Sequence, residues 1–410
     1  MRRVRFPRQS IAVAAVAVTA LTTAAPVVAA PALPAGVPDR PAASGDDPVQ
    51  LPPIRSILQT DETCTKPSTT VAQAKPWTRE VMSLTTSWRL SQGQGALVAV
   101  VDTGVDKSVP ALADRVDSVG DASSDCAGHG SFAAGLIAAA PQPGTGVVGV
   151  APQARVLAVR GTNERGFTSA GSLAAAIRTA ADHDAKVIYV ARAVLDGRDE
   201  LTAAVAYAMK HDALVVAPVA PDVAPRNADT NQDDPTARPY FPAFVPQVLS
   251  VVDVGPQGGR PKNAPEPFAP DLSAPGDSVV SVGPGGTGHF IGSGSSMAAA
   301  EVAGAAALVR ARFPKLTAPQ TADRLEHTAY PSDVPRLDTY AALSSVSSPA
   351  SGAVTSSRPQ AVELPQPVSQ GPRNRALVVA GGAFALMVLV AAAIVVVPRG
   401  RARSWRASGN

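Results

Sequence analysis

Across about 270 residues, from 76 to 345, short apolar runs alternate with longer stretches of helical periodicity. A chain that switches repeatedly between these two patterns builds an α/β domain around a mostly parallel sheet. Candidate strands are Leu97–Val101, Val156–Arg160, Val187–Ala191, Leu214–Ala217 and Val248–Val252. Candidate helices cover Ser169–Ala181, Glu200–His211, Met297–Arg312 and Pro319–Glu326. In such a sheet, reactive groups belong at the carboxyl ends of the strands, where the connections diverge.

The two ends of the chain are of different character. Arg2, Arg3, Arg5 and Arg8 precede the apolar run IAVAAVAVTALTTAA and small residues near Ala30 to Ala32, the layout of a cleavable export signal over 1–32. Residues 33–75 are rich in Pro, Asp, Thr and Ser and read as an extended N-terminal extension. Residues 346–375 form a Pro/Ser-rich linker. After it, Ala376–Val397 is 22 residues without a charge, long enough at 1.5 Å per residue to cross a hydrocarbon core of about 30 Å. Arg399, Arg401, Arg403 and Arg406 follow, so the basic bias assigns 398–410 to the cytoplasm and everything between leader and anchor to the outer side.

Composition then excludes one class of partner. Setting aside the four leader arginines and the four tail arginines takes the formal charge from +3 to −5. The basic balance reports topology, and nucleic-acid binding has no support. The two cysteines, Cys64 and Cys126, lie in a part of the chain assigned to an oxidising compartment, so one disulfide is expected. It would tie the extension to a point three residues before His129.

Three segments carry chemistry. ALVAVVDTGVD sets Asp102 at the carboxyl end of a buried strand, and CAGHGSFAAGLIAAA sets His129 between two glycines before an Ala-rich helix. IGSGSSMAAAEVAGAAALVRARF runs a Gly/Ser turn into a long apolar helix, which exposes a serine at a helix start where backbone N–H groups are unpaired. Each residue alone has an ordinary structural reading. An Asp, a His and a Ser, each on a strand-to-helix junction and in that order, point to nucleophilic catalysis.

VVDTGVD, GHGSFAAG and GSSMAAAEVAG resemble the three signature segments of the subtilisin-like (peptidase S8) family. KPWTREVMSLTTSWRLSQGQG, YFPAFVPQVLSV, DLSAPGDSVVSVGPGG and RLDTYAAL are similar to segments of the mycosins, the subtilases associated with type VII secretion in actinobacteria. The resemblance implies a subtilisin-like three-layer peptidase domain over 76–345, plus one C-terminal transmembrane helix. It also implies a serine endopeptidase with Asp102, His129 and Ser296 as catalytic residues, no cofactor and no metal, a polypeptide substrate and a secretion-complex partner. The alternative it leaves is a pseudoprotease that stabilises such a complex.

One family feature is not where it is expected. Active subtilases supply an oxyanion-hole asparagine in AAGN at a strand end, and VVAPVAPDVAP puts Ala220 or Pro221 at the matching place. Asn227 or Asn231, in the following loop, is the candidate replacement donor. Ser131-Phe132 replaces the usual Thr-His, YVARAVL replaces the usual substrate strand, and Ala300 replaces the usual Pro.

Overall fold

The computed structural model describes residues 49–226, 232–262, 264–346 and 371–402. The leader, most of the linker and the end of the tail therefore lie outside the described residues, as do Asn227 and Asn231. The chain divides into two units, 1–345 and 346–410.

In the first unit, two short helices, α1 (Thr78–Val81) and α2 (Leu84–Ser87), lead into β1 (Leu97–Asp102). There follow β2 (Val116–Ser118), α3 (His129–Ala138), β3 (Arg155–Arg160), α4 (Ala170–Asp182), β4 (Val187–Val190), α5 (Arg198–Lys210) and β5 (Leu214–Pro218). Then come β6 (Leu249–Val254), β7 (Leu272–Pro275), the hairpin β8 (Val279–Val282) and β9 (His289–Gly292), α6 (Ser295–Arg312), α7 (Ala318–His327) and α8 (Thr339–Ser344). Seven strands form one parallel sheet in the order β2-β3-β1-β4-β5-β6-β7.

The apolar runs are strands because both of their faces are buried. Val98 and Val100 of β1 face a core shared with α3 and α6, while Ala99 and Val101 face a second core shared with α4 and α5. The layers are therefore helix, sheet, helix. α6 is buried along nearly its whole length, and its small residues let it approach closely: a Cβ on Gly304 would meet Val150 at 2.6 Å.

Helix starts follow from local chemistry. The Ser169 side chain accepts from the Ser172 N–H at the start of α4, and Thr317 and Gln320 cap α7 reciprocally. The expected strands and helices are all present within one to two residues at each end. β2, β7 and the β8–β9 hairpin were not among them. β2 is three residues long, and β7 and the hairpin lie in Gly/Pro/Ser-rich sequence that gives no sustained alternation.

The segment before α1 is extended and docked. Ile54 N–H donates to Ile291 O at 2.8 Å, Leu58 N–H to Arg165 O at 2.9 Å and Thr65 N–H to Cys126 O at 2.9 Å. Ile54 and Leu58 are buried. The Cys64 and Cys126 sulfurs are bonded at 2.14 Å across a separation of 62 residues.

In the second unit, α9 (Gly371–Ala402) is one helix in which Arg375–Gly400 has a mean hydropathy of 2.7 and no burial against protein. Among the described residues it is the helix long and apolar enough to cross a membrane.

Candidate active site

β1 lies between β3 and β4, where the order of the sheet reverses, and ends at Asp102. Its carboxylate is fully buried, with Oδ1 accepting the Thr103 N–H at 2.8 Å and Oδ2 lying 2.6 Å from His129 Nδ1. The histidine is the first residue of α3. Gly128 before it has φ 85°, and Gly130 after it packs so closely on Gly104 O and Asp102 Cβ that any side chain would collide. These glycines bring β1 and α3 into contact at the imidazole.

Ser296 is the second residue of α6. Its Oγ lies 3.2 Å from His129 Nε2, and both side chains are buried. The structure thus brings Asp102, His129 and Ser296 together in one chain of contacts. Ser295 is diverted, its hydroxyl donating to Asp253 Oδ1 at 2.7 Å, and the Ser293 hydroxyl donates to Asp277 Oδ1 at 2.7 Å.

Two residues beyond the three segments complete the frame. Asp125 is buried and accepts from the Thr103 hydroxyl at 2.7 Å, the Gly128 N–H at 2.8 Å and the Ser131 N–H at 2.7 Å. It therefore ties the end of β1 to the first turn of α3. Burial raises its carboxyl above the ordinary value, against the pull of those donors.

The second is Asp222, four residues past β5. Its Oδ1 accepts the Ser296 N–H at 2.9 Å, its Oδ2 accepts the Ser296 hydroxyl at 2.7 Å, and Oδ2 is 3.4 Å from His129 Nε2. The place opposite the serine is thus filled by a carboxylate, one position beyond Pro221 and two beyond Ala220, the residues that the family pattern sets there. Gly294, with φ 145°, admits it, because a Cβ there would run into the Asp222 carboxylate. The available signal was an acidic residue directly after Pro221, beyond the carboxyl end of a strand, where ligand-facing groups belong.

The electrostatics follow from this crowding. Burial lowers the imidazole of His129, but the Asp102 carboxylate, opposed by Arg192 and joined by hydrogen bonds to Asp102 and Asp222, raises it to about 9. Burial would raise the Asp222 carboxyl, yet the imidazole and the Ser296 N–H outweigh it and hold the group below its ordinary value. Arg192 follows β4, with Nη2 4.0 Å from Asp102 Oδ1 and hydrogen-bonded to Ser56 O in the docked segment. Ser56, Ile57, Phe167, Arg192 and Asp222 line a cleft of about 240 Å³.

A buried serine beside an imidazole that is held by a second buried carboxylate is equipped for acyl transfer. The subtilase family profile matches residues 93–361. Mycosin-4 of Mycobacterium tuberculosis (strain ATCC 25618 / H37Rv) is 35% identical over 359 residues, covering 74% of this chain and 78% of that protein. Mycosin-3 of the same strain is 33% identical, covering 78% and 83%. Among solved structures, the MycP3 protease from the type VII (ESX-3) secretion system is 31% identical with a TM-score of 0.58, covering 72% of this chain and 96% of that one. A chain in the structure of an intact ESX-5 inner membrane complex is 27% identical with a TM-score of 0.60, covering 86% and 97%. With two thirds of its length in the family domain and mycosins at 33–35% identity covering about three quarters of it, the chain belongs to the subtilase family and is a serine endopeptidase of the mycosin type.

Proposed function

We propose that Ser296 is the nucleophile, His129 the base that takes its proton, and Asp102 the group that orients and stabilises the imidazolium, in a peptidase anchored on the outer face of the cytoplasmic membrane. The carrying observation is the continuous contact from Asp102 Oδ2 to His129 Nδ1, 2.6 Å, and from His129 Nε2 to Ser296 Oγ, 3.2 Å. The hydroxyl attacks a peptide carbonyl as its proton passes to Nε2, and the same proton then serves the leaving amine.

The proposed layout is a leader at 1–32, an extension at 33–75 that stays on as a brace, the peptidase domain at 76–345, a linker at 346–375, a membrane helix at 376–397 and a cytoplasmic tail at 398–410. The apolar helix Arg375–Gly400 supports the anchor. The bond between Cys64 and Cys126 supports a retained extension, since it holds the segment to the loop before α3. Similarity to a chain of an ESX-5 inner membrane complex supports a type VII secretion assembly as the partner and exported polypeptides as substrates.

The test is covalent labelling of the detergent-solubilised full chain by a fluorophosphonate probe. Ser296 becomes labelled in the wild type and no label is found in Ser296→Ala. A folded wild type that takes up no label, or a variant that still does, removes the assignment.

A further inference from the structure

The Ser296 N–H is the donor that a catalytic serine's own backbone offers to a developing oxyanion, and here it is occupied by Asp222 Oδ1 at 2.9 Å. The serine hydroxyl, in turn, is nearer to Asp222 Oδ2, at 2.7 Å, than to His129 Nε2, at 3.2 Å. His129 stands between two carboxylates, Asp102 on Nδ1 and Asp222 on Nε2. In the ionic form of this cluster nothing is ready to react. An imidazolium cannot accept the serine proton, and a carboxylate repels the negative oxygen that must form beside it.

One proton transfer removes both obstacles. The N–H bond at His129 Nε2 breaks and an O–H bond forms at Asp222 Oδ2, 3.4 Å away, which leaves a neutral imidazole and a carboxylic acid with no proton gained or lost by the site. We propose that Asp222 is the second oxyanion-hole donor of this peptidase, acting as a carboxylic acid after taking the proton of His129. The substrate carbonyl oxygen displaces it from the Ser296 N–H and is then held by that N–H and the Asp222 hydroxyl together. The proposal rests on Ser296 and His129 having the roles given above.

Its pH signature has a definite sign. The reactive form carries one proton on the Asp222–His129 pair, and the two groups titrate as a unit. Reactivity is therefore level through neutral pH and falls as that proton is lost, near the His129 value of about 9. A carboxylate that merely obstructs would give the reverse, because loss of the imidazolium proton would free the base and reactivity would rise. The charged and titratable neighbours are Asp102 on β1, Arg192 and Tyr189 on and after β4, and Asp125 before α3, which reaches the cluster through Thr103. Tyr189 is held well above its ordinary value by burial and by both carboxylates, so it does not titrate in this window.

The experiment measures the second-order rate of fluorophosphonate labelling of the solubilised full chain from pH about 6 to about 10.5, for the wild type, Asp222→Asn and Asp222→Ala. The proposal expects a wild-type rate that falls above about pH 9, and an Asp222→Asn rate that is about 10-fold or more higher at neutral pH and does not fall above it, since the carboxamide donates without needing a proton. Asp222→Ala labels about 10-fold or more slowly than Asp222→Asn, because the donor is gone. A wild-type rate that rises through pH 9, or an alanine variant as fast as the asparagine variant, overturns the proposal and leaves the serine peptidase standing. Labelling of neither wild type nor Asp222→Asn, with both folded, removes the assignment of Ser296 and the proposal with it.

Discussion

On one side of the cleft, β1 and α3 hold Asp102 and His129 with both carboxylate oxygens answered, Oδ1 by the Thr103 N–H and Oδ2 by the imidazole, and with Asp125 locking the turn between them. On the other side, the ends of β4 and β5 present Arg192 and Asp222, two charged groups at the edge of a cleft that must accept a neutral peptide. The first side keeps the Asp and His segments of the family with only Ser131-Phe132 changed, and the second departs from the pattern at the residue that meets the serine. Positioning of the proposed base and of the acid that orients it depends on packed backbone that tolerates little change, whereas Arg192 and Asp222 sit on strand-to-loop junctions that can exchange one polar side chain for another. The difference teaches that a fold can keep the Asp102–His129–Ser296 contacts while changing the side chain that meets the serine.

The largest expected effect falls on the first side and on the serine it faces. Ser296→Ala or His129→Ala lowers turnover of an unfolded polypeptide substrate by about 10⁶-fold, the scale known for a subtilisin, measured by release of acid-soluble peptides. Asp102→Asn lowers it by about 10⁴-fold, because the amide holds the wrong imidazole tautomer. A loss below tenfold for any of these would break the contrast between the two sides.

The next effect is on stability. Removing the Cys64–Cys126 bond by substituting serine at both positions releases a loop of 62 residues, which costs about 4 kcal/mol in the chain-entropy account. Denaturant melts of the oxidised wild type and the double variant measure it. Asp125→Ala leaves the Gly128 and Ser131 N–H groups and the Thr103 hydroxyl without their acceptor, a loss of about 2–4 kcal/mol. Peptidase activity falls with it because the turn that carries His129 is no longer held.

Arg192→Gln sharpens the comparison from the second side. The guanidinium opposes the rise of the His129 value, so its removal raises that value above about 9 and moves the alkaline fall in labelling to higher pH. It also removes the hydrogen bond to Ser56 O, and limited proteolysis then cuts the docked segment near residue 56 sooner than in the wild type.

A last effect, confined to alkaline pH, tests the core of α6. Burial raises Glu301 to about 8, above its ordinary value, so the unfolded chain ionises first and stability falls as pH rises through that interval. Glu301→Gln therefore raises the thermal midpoint above pH 8 and changes it little in mild acid. An equal shift at both would contradict the assignment.

Much of the fold was legible because the central strands are buried on two faces. LVAVV, VIYV and LVVA are continuous apolar runs, and Ser169, Thr317 and the acidic start of α5 mark helix beginnings. β7 and the β8–β9 hairpin were not legible, since their register depends on partners distant in the chain. In the site, the places of Asp102 and His129 could be read from a strand end and a pair of flanking glycines, whereas Ser296 was singled out from Ser293 and Ser295 only by the resemblance of GSSMAA to the family's serine segment. Asp222 could not be read, since one residue of slip after Pro218 and Pro221 decides which side chain meets Ser296, and that slip depends on how the chain leaves β5. Asp125 was hidden for another reason: two of its three partners are backbone N–H groups, which carry no sequence signal.

The most direct measurement is a high-resolution crystal structure of the peptidase domain carrying a phosphonate on Ser296. The account predicts the phosphonyl oxygen within about 3 Å of both the Ser296 N–H and an oxygen of Asp222, with His129 still bonded to Asp102. An adduct oxygen turned to solvent, with the Asp222 carboxylate still on the Ser296 N–H or swung out of the cleft, would contradict it.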